Sequence, residues 1–586
     1  MLELLINGES ADLLPDASIT IDEESPVFDK DTIPGGYSYP FTLPVTPRNR
    51  RVLGFPERIE KSGSMSIEQP FQLFHLGKLI TSGTITVTES GDSYKVNLMV
   101  GSGDLANKVK DKKLKNLDLG GVRNWQWKAE YKHPDDDFAL APIFNSKFYT
   151  DTPFSVFFSN LHYRVNAYEH ESFNIATGTV VFAITPFPYL SYIIKQIFSF
   201  AGMQIIENVL VTDPDFRDLV VYTIRDIGTW EMALGSGNIC IGIDIAGNPI
   251  YQMVPIGVYS NRTINPFNLI DSLPNMSISD FLLSIRNFLN IAYVPDGDTV
   301  RITKRADLIK KAPGKDITGL AIRSPRSTQE ISDGFKLKWM IDSADDLWGS
   351  DFFTNIDDVL DFIKEPLDAV SELETLVPEP NEIRYIREVD LYFRYVYFAF
   401  DPEDETQLRW QWVSWSFNYQ NYRQGNEKDV FESKIAPILM TRGLHHTETG
   451  IMRCPQVEQK GAYPSQKDVS PFELRLLFYR GMIKDSLDID YPYVTNDNLD
   501  RTGTRLQGKS LALRFDGEYG LYSQLWKNYL TWWINKKLVY WTIKDPSGLS
   551  FTEKYAIEGK HYLLKKRTII LSQNGIEPAE CEFYLV

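Results

Sequence analysis

The residues that come nearest to a metal-binding set are His445, His446, Glu448 and Cys454. A chelate needs side chains that point toward one ion. Neighbouring residues on a strand face opposite sides, and on a helix they diverge by about 100°. The pattern therefore predicts an ordinary polar loop, and we expect neither a metal site nor a bound cofactor in this chain.

Carboxylates are the other residues that could do chemistry, and they occur in runs. Asp135, Asp136 and Asp137 are consecutive, and a second run covers residues 401–405. Glycoside hydrolysis needs an acid and a base spaced on either side of a bond, which a run does not supply. Calcium could bind such a loop, although the ligand spacing of an EF-hand is missing. We interpret both runs as solvated loops and identify no catalytic residue.

Aromatic side chains alternate along a predicted β-hairpin that contains Trp410, Trp412 and Trp415. Such rings could stack on the apolar faces of sugars. They could also be buried in a core or in an interface between subunits, where Trp and Tyr are enriched. The chain has no phosphate-binding loop, nucleophile elbow or zinc-protease helix beside them. We therefore favour the core or interface and take the three tryptophans as interface candidates.

Charge and cysteine content exclude several classes of protein. The 586 residues contain 61 Lys and Arg against 78 Asp and Glu, a formal charge of −17. A dedicated nucleic-acid binder needs a basic face, so this class of protein is excluded.

Cys240, Cys454 and Cys581 are too far apart for a disulfide framework, which indicates assembly in a reducing cytoplasm. Prolines and a lysine interrupt the most apolar stretch, 180–206, so we expect no stable membrane insertion.

Hydrophobic periodicity predicts a mainly β chain with some helices, that is, a multidomain β-rich α+β protein. Hairpins are expected at Asn7-Gly8, across 79–100 and at 573–575, and a helix followed by a strand is expected twice, over 186–206 and 273–303. The acidic stretch 345–385 is typical of an exposed helical insertion or linker. The predicted domains are 1–120, 121–262, 263–345, 346–480 and 481–586.

A proline-rich segment separates the hairpins of the first domain. Pro40, Pro44 and Pro47 each remove a backbone donor that a central strand needs. The segment 34–56 is therefore predicted to be an extended arm that clamps onto a neighbouring subunit. Its larger side chains are further interface candidates: Tyr37, Tyr39, Phe41, Leu43 and Phe55.

The two ends of the chain resemble each other. Gly77-Lys78 introduces the hairpin that contains TSGTITVTESGDSYKVNLMV, and Gly559-Lys560 introduces the last hairpin of the chain. A chain that opens and closes with similar β units is predicted to contain two related barrels.

The segments GGYSYPFTLPVTPRNRRVLGF and FHLGKLITSGTITVTESGDSYKVNLMV resemble the opening of tail hub proteins from phages and prophages of Bacteroidetes-type hosts. This family comprises the baseplate hubs of contractile tails and their tail-tip counterparts. LPNMSISDFLLSIRNFLNIAYVPDGDTVRIT and LYSQLWKNYLTWWINKK, together with the final hairpin, resemble the middle and end of such hubs. The resemblance covers roughly half of the chain and includes no catalytic signature.

The resemblance implies a virion structural protein without enzymatic activity, assembled in the cytoplasm of the bacterial host. Such hubs are homotrimers in which each chain supplies two tube-like β-barrels, so that three chains present a pseudo-sixfold ring to a hexameric tail tube. The barrels are expected around Gly77, Lys78, Gly83, Gly559 and Lys560. The expected partners are the tail tube protein, the distal tail protein and a central spike, fibre or tape-measure C-terminus. Genomic DNA would only pass through the channel, along an acidic wall.

Two other functions stay open on the sequence alone. A host-surface adhesin would bind glycan through the Trp-rich hairpin, and it would be a monomer that retains glycan. A tail-associated glycosidase would turn over host polysaccharide, and substitution of single Asp or Glu residues would abolish that turnover.

Overall fold

A computed structural model describes the chain over most of its length. The described residues are 2–31, 36–58, 68–123, 130–145, 147–148, 164–166, 183–243, 249–263, 267–322, 325–330, 332, 334–340, 342–346, 362–387, 391–398, 409–415, 421–425, 429–444, 452–462, 472–485, 488, 490–500, 502–515 and 517–586. Over 228–243 and 249–263, only the course of the backbone is described.

Strands dominate the described part of the chain. In chain order they are β1 Leu2–Ile6, β2 Glu9–Ala11, β3 Ser18–Glu24, β4 Gly36–Ser38, β5 Phe41–Pro44, β6 Gln69–His75, β7 Lys78–Ser90, β8 Ser93–Val100, β9 Val122–Arg123, β10 Phe138–Ala139, β11 Ile143–Asn145, β12 Arg164–Val165, β13 Phe187–Pro188, β14 Gln204–Asn208, β15 Leu219–Val221, β16 Gly228–Ile243, β17 Pro249–Thr263, β18 Phe267–Asn268, β19 Ile291–Asp296, β20 Thr299–Lys304, β21 Lys315–Asp316, β22 Arg326–Gln329, β23 Gly334–Lys338, β24 Ile383–Ile386, β25 Leu391–Phe398, β26 Arg409–Trp415, β27 Asn421–Gly425, β28 Asp429–Glu432, β29 Leu439–Leu444, β30 Met452–Val457, β31 Leu476–Lys484, β32 Asp490–Thr495, β33 Lys537–Ile543, β34 Lys554–Ile557, β35 Lys560–Ser572, β36 Gly575–Glu577 and β37 Ala579–Leu585.

Helices are short and lie between the strands. The α-helices are α1 Pro47–Val52, α2 Ser102–Val109, α3 Leu190–Phe200, α4 Val209–Thr212, α5 Ile278–Leu289, α6 Arg305–Lys310 and α7 Lys527–Trp533, and a π-helical turn, Tyr522–Trp526, precedes α7. The 3₁₀ turns are Leu114–Asn116, Phe216–Asp218, Leu269–Ser272, Thr318–Leu320, Val370–Thr375 and Pro546–Gly548. The predicted mainly β class with some helices is confirmed.

The largest sheet joins the two ends of the chain. Its strands follow the hydrogen-bonded order β2-β1-β6-β7-β8-β4-β3-β35-β37-β33-β22, with β5, β21, β34 and β36 attached at the sides. β3 pairs with β35 from Ser18↔Ser572 to Glu24↔Lys566. We call β1–β8 the N-terminal unit and β33–β37 the C-terminal unit. Among the described strands this order is an open path, so closed tube-like barrels stay a prediction.

The core of the N-terminal unit is completed by the other end of the chain. Alternate residues of its strands are buried, as expected for a sheet with one apolar face. Ile569 and Leu571 of β35 lie in the same cluster, fully buried. The other members include Leu4, Ile6, Ile19, Ile21, Leu73, Ile85, Tyr94, Val96, Leu98 and Val100. The two units therefore cannot fold as separate modules without exposing apolar surface.

The two predicted helix-then-strand segments belong to one structure. α3 leads into β14, α5 leads into the hairpin β19–β20, and β14 pairs in parallel with β20 in the order β14-β20-β19. The Ser277 hydroxyl caps α5 by accepting a hydrogen bond from the Asp280 N–H at 3.0 Å. α5 ends at Asn290, which adopts a left-handed conformation with φ 50°.

Buried ion clusters join distant parts of the middle of the chain. The guanidinium of Arg475, fully buried, donates to Asp345 at 2.7 Å and to Asp342 at 2.6 Å. Arg480, whose side chain is 1% exposed, donates to Asp215 and Asp218 at 2.9 Å each. Each carboxylate lies more than a hundred residues from its arginine in sequence, so these pairs depend on the tertiary fold.

The predicted extended arm is wrong, because the proline-rich segment is built into the N-terminal unit. β4 lies between β3 and β8, and β5 pairs with β8. Thr46 then caps α1, which has Pro47 in its first turn. Pro44 ends a strand with one neighbour and Pro47 opens a helix, and neither position needs a backbone N–H. The prolines therefore mark element ends and not an unpaired segment.

Of the acidic stretch 345–385, the structure describes residues 345–346 and 362–385, which include the 3₁₀ turn Val370–Thr375, with Leu373 buried, and the start of β24. The other residues of the stretch lie outside the described part of the chain, so the exposed helical insertion or linker stays a prediction. Strand pairing also joins residues of different predicted domains, for example β11 with β30 and β22 with β33. No helix in the described residues is long and apolar enough to cross a membrane.

Candidate assembly surfaces

The two Gly-Lys sequences sit in turns of the same conformation. The central residues are Leu76 and Gly77 between β6 and β7, with φ values of 50° and 76°. Between β34 and β35 they are Glu558 and Gly559, with φ values of 51° and 74°. Two-residue hairpin turns with positive φ at both central positions match the twist of the strands that they join. Two segments at opposite ends of the chain therefore share one local geometry.

Each turn leads into a strand of 13 residues, β7 and β35. Both strands begin with the predicted lysines, Lys78 and Lys560. Near its far end each strand buries apolar side chains in the same core, Ile85 and Val87 from β7 and Ile569 and Leu571 from β35. The two hairpins therefore share a turn conformation, a strand length and a common core, and the two related barrels that the sequence predicts around them stay a prediction.

The tips of the two hairpins differ in chemistry. Leu76 is 75% exposed and Leu79 is 46% exposed at the first tip, whereas Glu558 and Lys560 are exposed at the second. The backbone N–H of Glu558 also donates to the hydroxyl of Thr318 at 2.9 Å. The first tip therefore presents apolar surface, and the second is polar and tied to its own chain.

Gly83 lies in β7 and pairs with Phe71 of β6 on one side and with Val100 of β8 on the other. A Cβ atom at this position would lie 2.0 Å from the carbonyl oxygen of Met99. Such close approach of two backbones is one reason for a glycine inside a strand. The predicted importance of Gly83 thus has a steric basis.

Alanine at either turn glycine is expected to destabilise the protein. Gly77→Ala and Gly559→Ala each force a side chain into left-handed backbone conformation, at a cost of about 1–2 kcal/mol per site. Urea unfolding followed by tryptophan fluorescence measures the loss. Gly548→Ala is the control, because a Cβ there has open space within 4 Å and should change stability by less than about 0.5 kcal/mol. Equal stability of all three variants would contradict the turn geometry.

Ion pairs hold the N-terminal and C-terminal units together along the β3–β35 seam. Lys566 Nζ lies 2.9 Å from Asp22, and the Thr568 hydroxyl donates to the same carboxylate at 2.6 Å. Arg567 pairs with Glu23. Burial alone would lower the pKa of Arg567, but the charge and hydrogen bond of Glu23 outweigh it and hold that pKa above its ordinary value. The seam was not predicted from the sequence, where its only signal is an acidic run at 22–24 and a basic run at 565–567.

Tyr37 and Tyr39 keep the exposure that an interface requires. They are 49% and 52% exposed, and their ring centroids lie 6.2 Å apart in an edge-on arrangement. The Tyr39 hydroxyl donates to Asp22 at 3.3 Å, and the charge of Asp22 raises the pKa of this phenol. The pair thus forms an exposed aromatic patch beside the seam, and its role as an interface stays a prediction.

The other interface candidates of this segment pack against residues of the same chain. Phe41 is 8% exposed and Leu43 is fully buried, both in the core of the N-terminal unit. Their assignment to a subunit interface is therefore wrong, because β5 turns them inward. Phe55 lies under the Arg58 guanidinium, 4.4 Å from the ring centroid.

The Trp-rich hairpin is present as β25 and β26. Trp412 is partly buried, with its ring 5.3 Å from that of Tyr395 and packed on a cluster that includes Leu373 and Phe393. Packing into a core accounts for this ring without a sugar. The side chains of Trp410 and Trp415 lie outside the described residues.

The residues considered for chemistry do not form a site in the described part of the chain. His445, His446, Glu448 and the run 401–405 lie outside it, and Cys454 is buried in β30. Asp136 accepts a hydrogen bond from the Lys132 N–H, and Asp137 pairs with Arg123. Among the residues that are described, no three His, Cys, Asp or Glu side chains come together as metal ligands.

One polar groove of about 350 Å³ lies between the N-terminal unit and the β19–β20 turn, with Gly83 and Asp298 in its lining. Asp104 accepts a hydrogen bond from the Thr84 hydroxyl and lies 2.8 Å from Lys108, so these two charges offset each other.

Comparison with known proteins yields solved structures only. No family description and no curated protein matches the sequence. The 43 kDa tail protein of prophage MuSo2 from Shewanella oneidensis aligns over 100% of this chain and 97% of its own, with 8% identity and a TM-score of 0.30. A tail protein from Neisseria meningitidis MC58 aligns over 100% and 95%, with the same identity and TM-score.

Proposed function

We propose that this protein is a structural component of a phage virion, the hub at the tail tip or baseplate. In this role it forms a homotrimer that adapts the sixfold tail tube to a threefold spike or fibre. Its other partners are the distal tail protein and the C-terminus of the tape measure. The proposal rests on the sequence resemblance to hubs of Bacteroidetes-type phages and on the duplicated hairpins.

The duplicated hairpin is the observation that carries the proposal. One chain holds two equivalent elements in one continuous sheet, with matching turns at Gly77 and Gly559 and matching 13-residue strands. Three chains then offer six such elements, which is the number that a hexameric tube presents. Two rigidly joined units per chain are what a symmetry adaptor needs, because their relative position must not change.

The seam supplies that rigidity. Two ion pairs and the shared burial of Ile569 and Leu571 fix the C-terminal unit against the N-terminal unit. Side chains at the seam are more than 540 residues apart in sequence. The acidic balance of the chain fits a DNA exit channel, since like charge on the wall lets the polyanion pass without binding.

Mass measurement of the purified full-length protein tests the proposal. We expect a species of three times the 67.3 kDa chain mass, or incorporation into rings when the tail tube protein of the same phage is added. Electron microscopy of such rings should show threefold symmetry on one face and sixfold on the other. A monomer that neither trimerises nor binds the tube protein overturns the proposal.

The exposed tyrosine pair offers a test of where the copies meet. Tyr37→Ser with Tyr39→Ser is expected to weaken trimerisation at least tenfold, because buried aromatic anchors carry much of the energy of an interface. Analytical ultracentrifugation measures the shift, and thermal unfolding should show little change because both rings are half exposed. Val377→Ser, at a residue 98% exposed, is the control. Trimerisation that is unchanged in the double variant would remove these residues from the interface.

A further inference from the structure

A two-stranded ribbon is the longest regular element of the described chain. β16 and β17 pair antiparallel over fifteen rungs, from Gly228↔Thr263 to Ile243↔Pro249. At about 3.4 Å per residue the ribbon is about 50 Å long. Neither strand pairs with another described strand.

The outer part of this ribbon carries no charge. Beyond the rung Glu231↔Ser260, eleven rungs follow, and residues 232–243 and 249–259 contain no Asp, Glu, Lys or Arg. Solvated strands at the edge of a sheet usually carry charged residues that prevent pairing with another chain. This ribbon lacks that protection along about 37 Å of its length.

An isolated two-stranded hairpin is only marginally stable in water. The sequence of this one is also apolar, with Ile, Val, Met, Leu and Tyr at most of the outer positions that are not Gly. A ribbon about 37 Å long and about 10 Å wide, counted on both faces, offers on the order of 700 Å², close to the contribution of one partner to a stable interface. The ribbon is therefore large enough to be the main part of an interface.

We propose that the ribbon is covered by the same ribbon of other copies of this chain, gathered around the axis of the trimer. This inference rests on the proposed homotrimer and adds the element through which the copies meet. Identical charged ribbons would repel one another, whereas identical uncharged ribbons associate without that cost. Within the two paired strands the only charges are Glu231 and Arg262, which have opposite sign and lie near the base, so they do not oppose association. Asp244 follows β16 in the connecting segment, beyond the last rung.

Cys240 provides the test, because it lies opposite Tyr251 in the uncharged part of the ribbon. Cys454 and Cys581 are buried, 1% and 0% exposed, so a maleimide should react first at Cys240. Treating the native full-length protein with a short bismaleimide is expected to give a covalent dimer on a denaturing gel. The yield should not change on tenfold dilution of the trimer, and Cys240→Ser should abolish the product.

A second variant tests whether trimerisation depends on the ribbon. Joining Glu231 to Ser260 through an Asn-Gly turn removes the eleven uncharged rungs and should leave the rest of the fold intact by circular dichroism. We expect this variant to trimerise at least tenfold more weakly than the native chain. If the native protein is a trimer that neither cross-links at Cys240 nor depends on the ribbon, the inference is overturned while the proposed trimer stands.

Two further results would overturn the inference. A native protein that is monomeric by mass contradicts the trimer and the ribbon contact together. Co-sedimentation of the native chain with phosphatidylcholine–phosphatidylglycerol vesicles, lost in the shortened variant while its trimer is unchanged, would assign the ribbon to a lipid surface and not to other copies of the chain.

Discussion

Replacing Arg475 with methionine is expected to lower the free energy of unfolding by about 3–5 kcal/mol, which is the range for breaking a buried ion pair by removing one partner. The side chains of Asp342 and Asp345 are 3% and 0% exposed. They would keep their negative charges in the interior without the guanidinium that neutralises them. Urea unfolding and the thermal midpoint both report this loss.

An exposed pair of the same chemistry is the matched control. Arg326 lies 3.0 Å from Glu580, but both side chains are more than half exposed. Arg326→Met should therefore cost about 1 kcal/mol or less. Combining Arg475→Met with Asp342→Asn and Asp345→Asn removes the uncompensated charges and should recover part of the stability. If Arg475→Met costs no more than the control, the buried cluster does not hold the middle of the chain together.

Replacing Gly83 with alanine is expected to cost about 2–4 kcal/mol and to reduce assembly with the tail tube protein. The added methyl would lie 2.0 Å from the Met99 carbonyl oxygen, which belongs to backbone and cannot move as a flexible side chain can. β7 and β8 must then separate locally, which breaks ladder hydrogen bonds in addition to overpacking the core. Thermal unfolding measures the stability, and co-sedimentation with tube rings measures the assembly.

Gly91→Ala is the control for this variant, because Gly91 lies in the same hairpin and a Cβ there meets nothing within 4 Å. It should change stability by less than about 0.5 kcal/mol. Gly83→Ser should be at least as damaging as Gly83→Ala, because its side chain is larger. A stable Gly83→Ala protein with normal assembly would show that the approach of the two strands is not required.

The duplicated hairpins also explain why the chain needs both of its ends. The N-terminal unit buries Ile569 and Leu571 as part of its own core, so truncating the last hairpin exposes apolar surface in a unit that lies more than 450 residues earlier in sequence. Removal of two such side chains from a core typically costs several kcal/mol. The adaptor role proposed for this protein depends on that coupling, because each copy must present its two hairpins in a fixed relation.

Local signals in the sequence determined the elements. The turns at Asn7-Gly8 and Gly77 and the helix α3 depend on residues a few positions apart, and they were predicted where they occur. The similar conformation of the turns at Gly77-Lys78 and Gly559-Lys560 could also be predicted from the sequence, because a two-residue hairpin turn allows few residue types.

Tertiary structure decided how those elements combine. Nothing local indicates that β35 would pair with β3, that Arg475 would neutralise Asp342 and Asp345, or that β5 would turn Phe41 and Leu43 inward. Pairing partners and the buried face of a strand are set by contacts between residues far apart in the chain. Proline shows the difference most clearly, since its missing donor predicted a break in pairing at Pro44, and only the sheet showed that this break is the end of a strand.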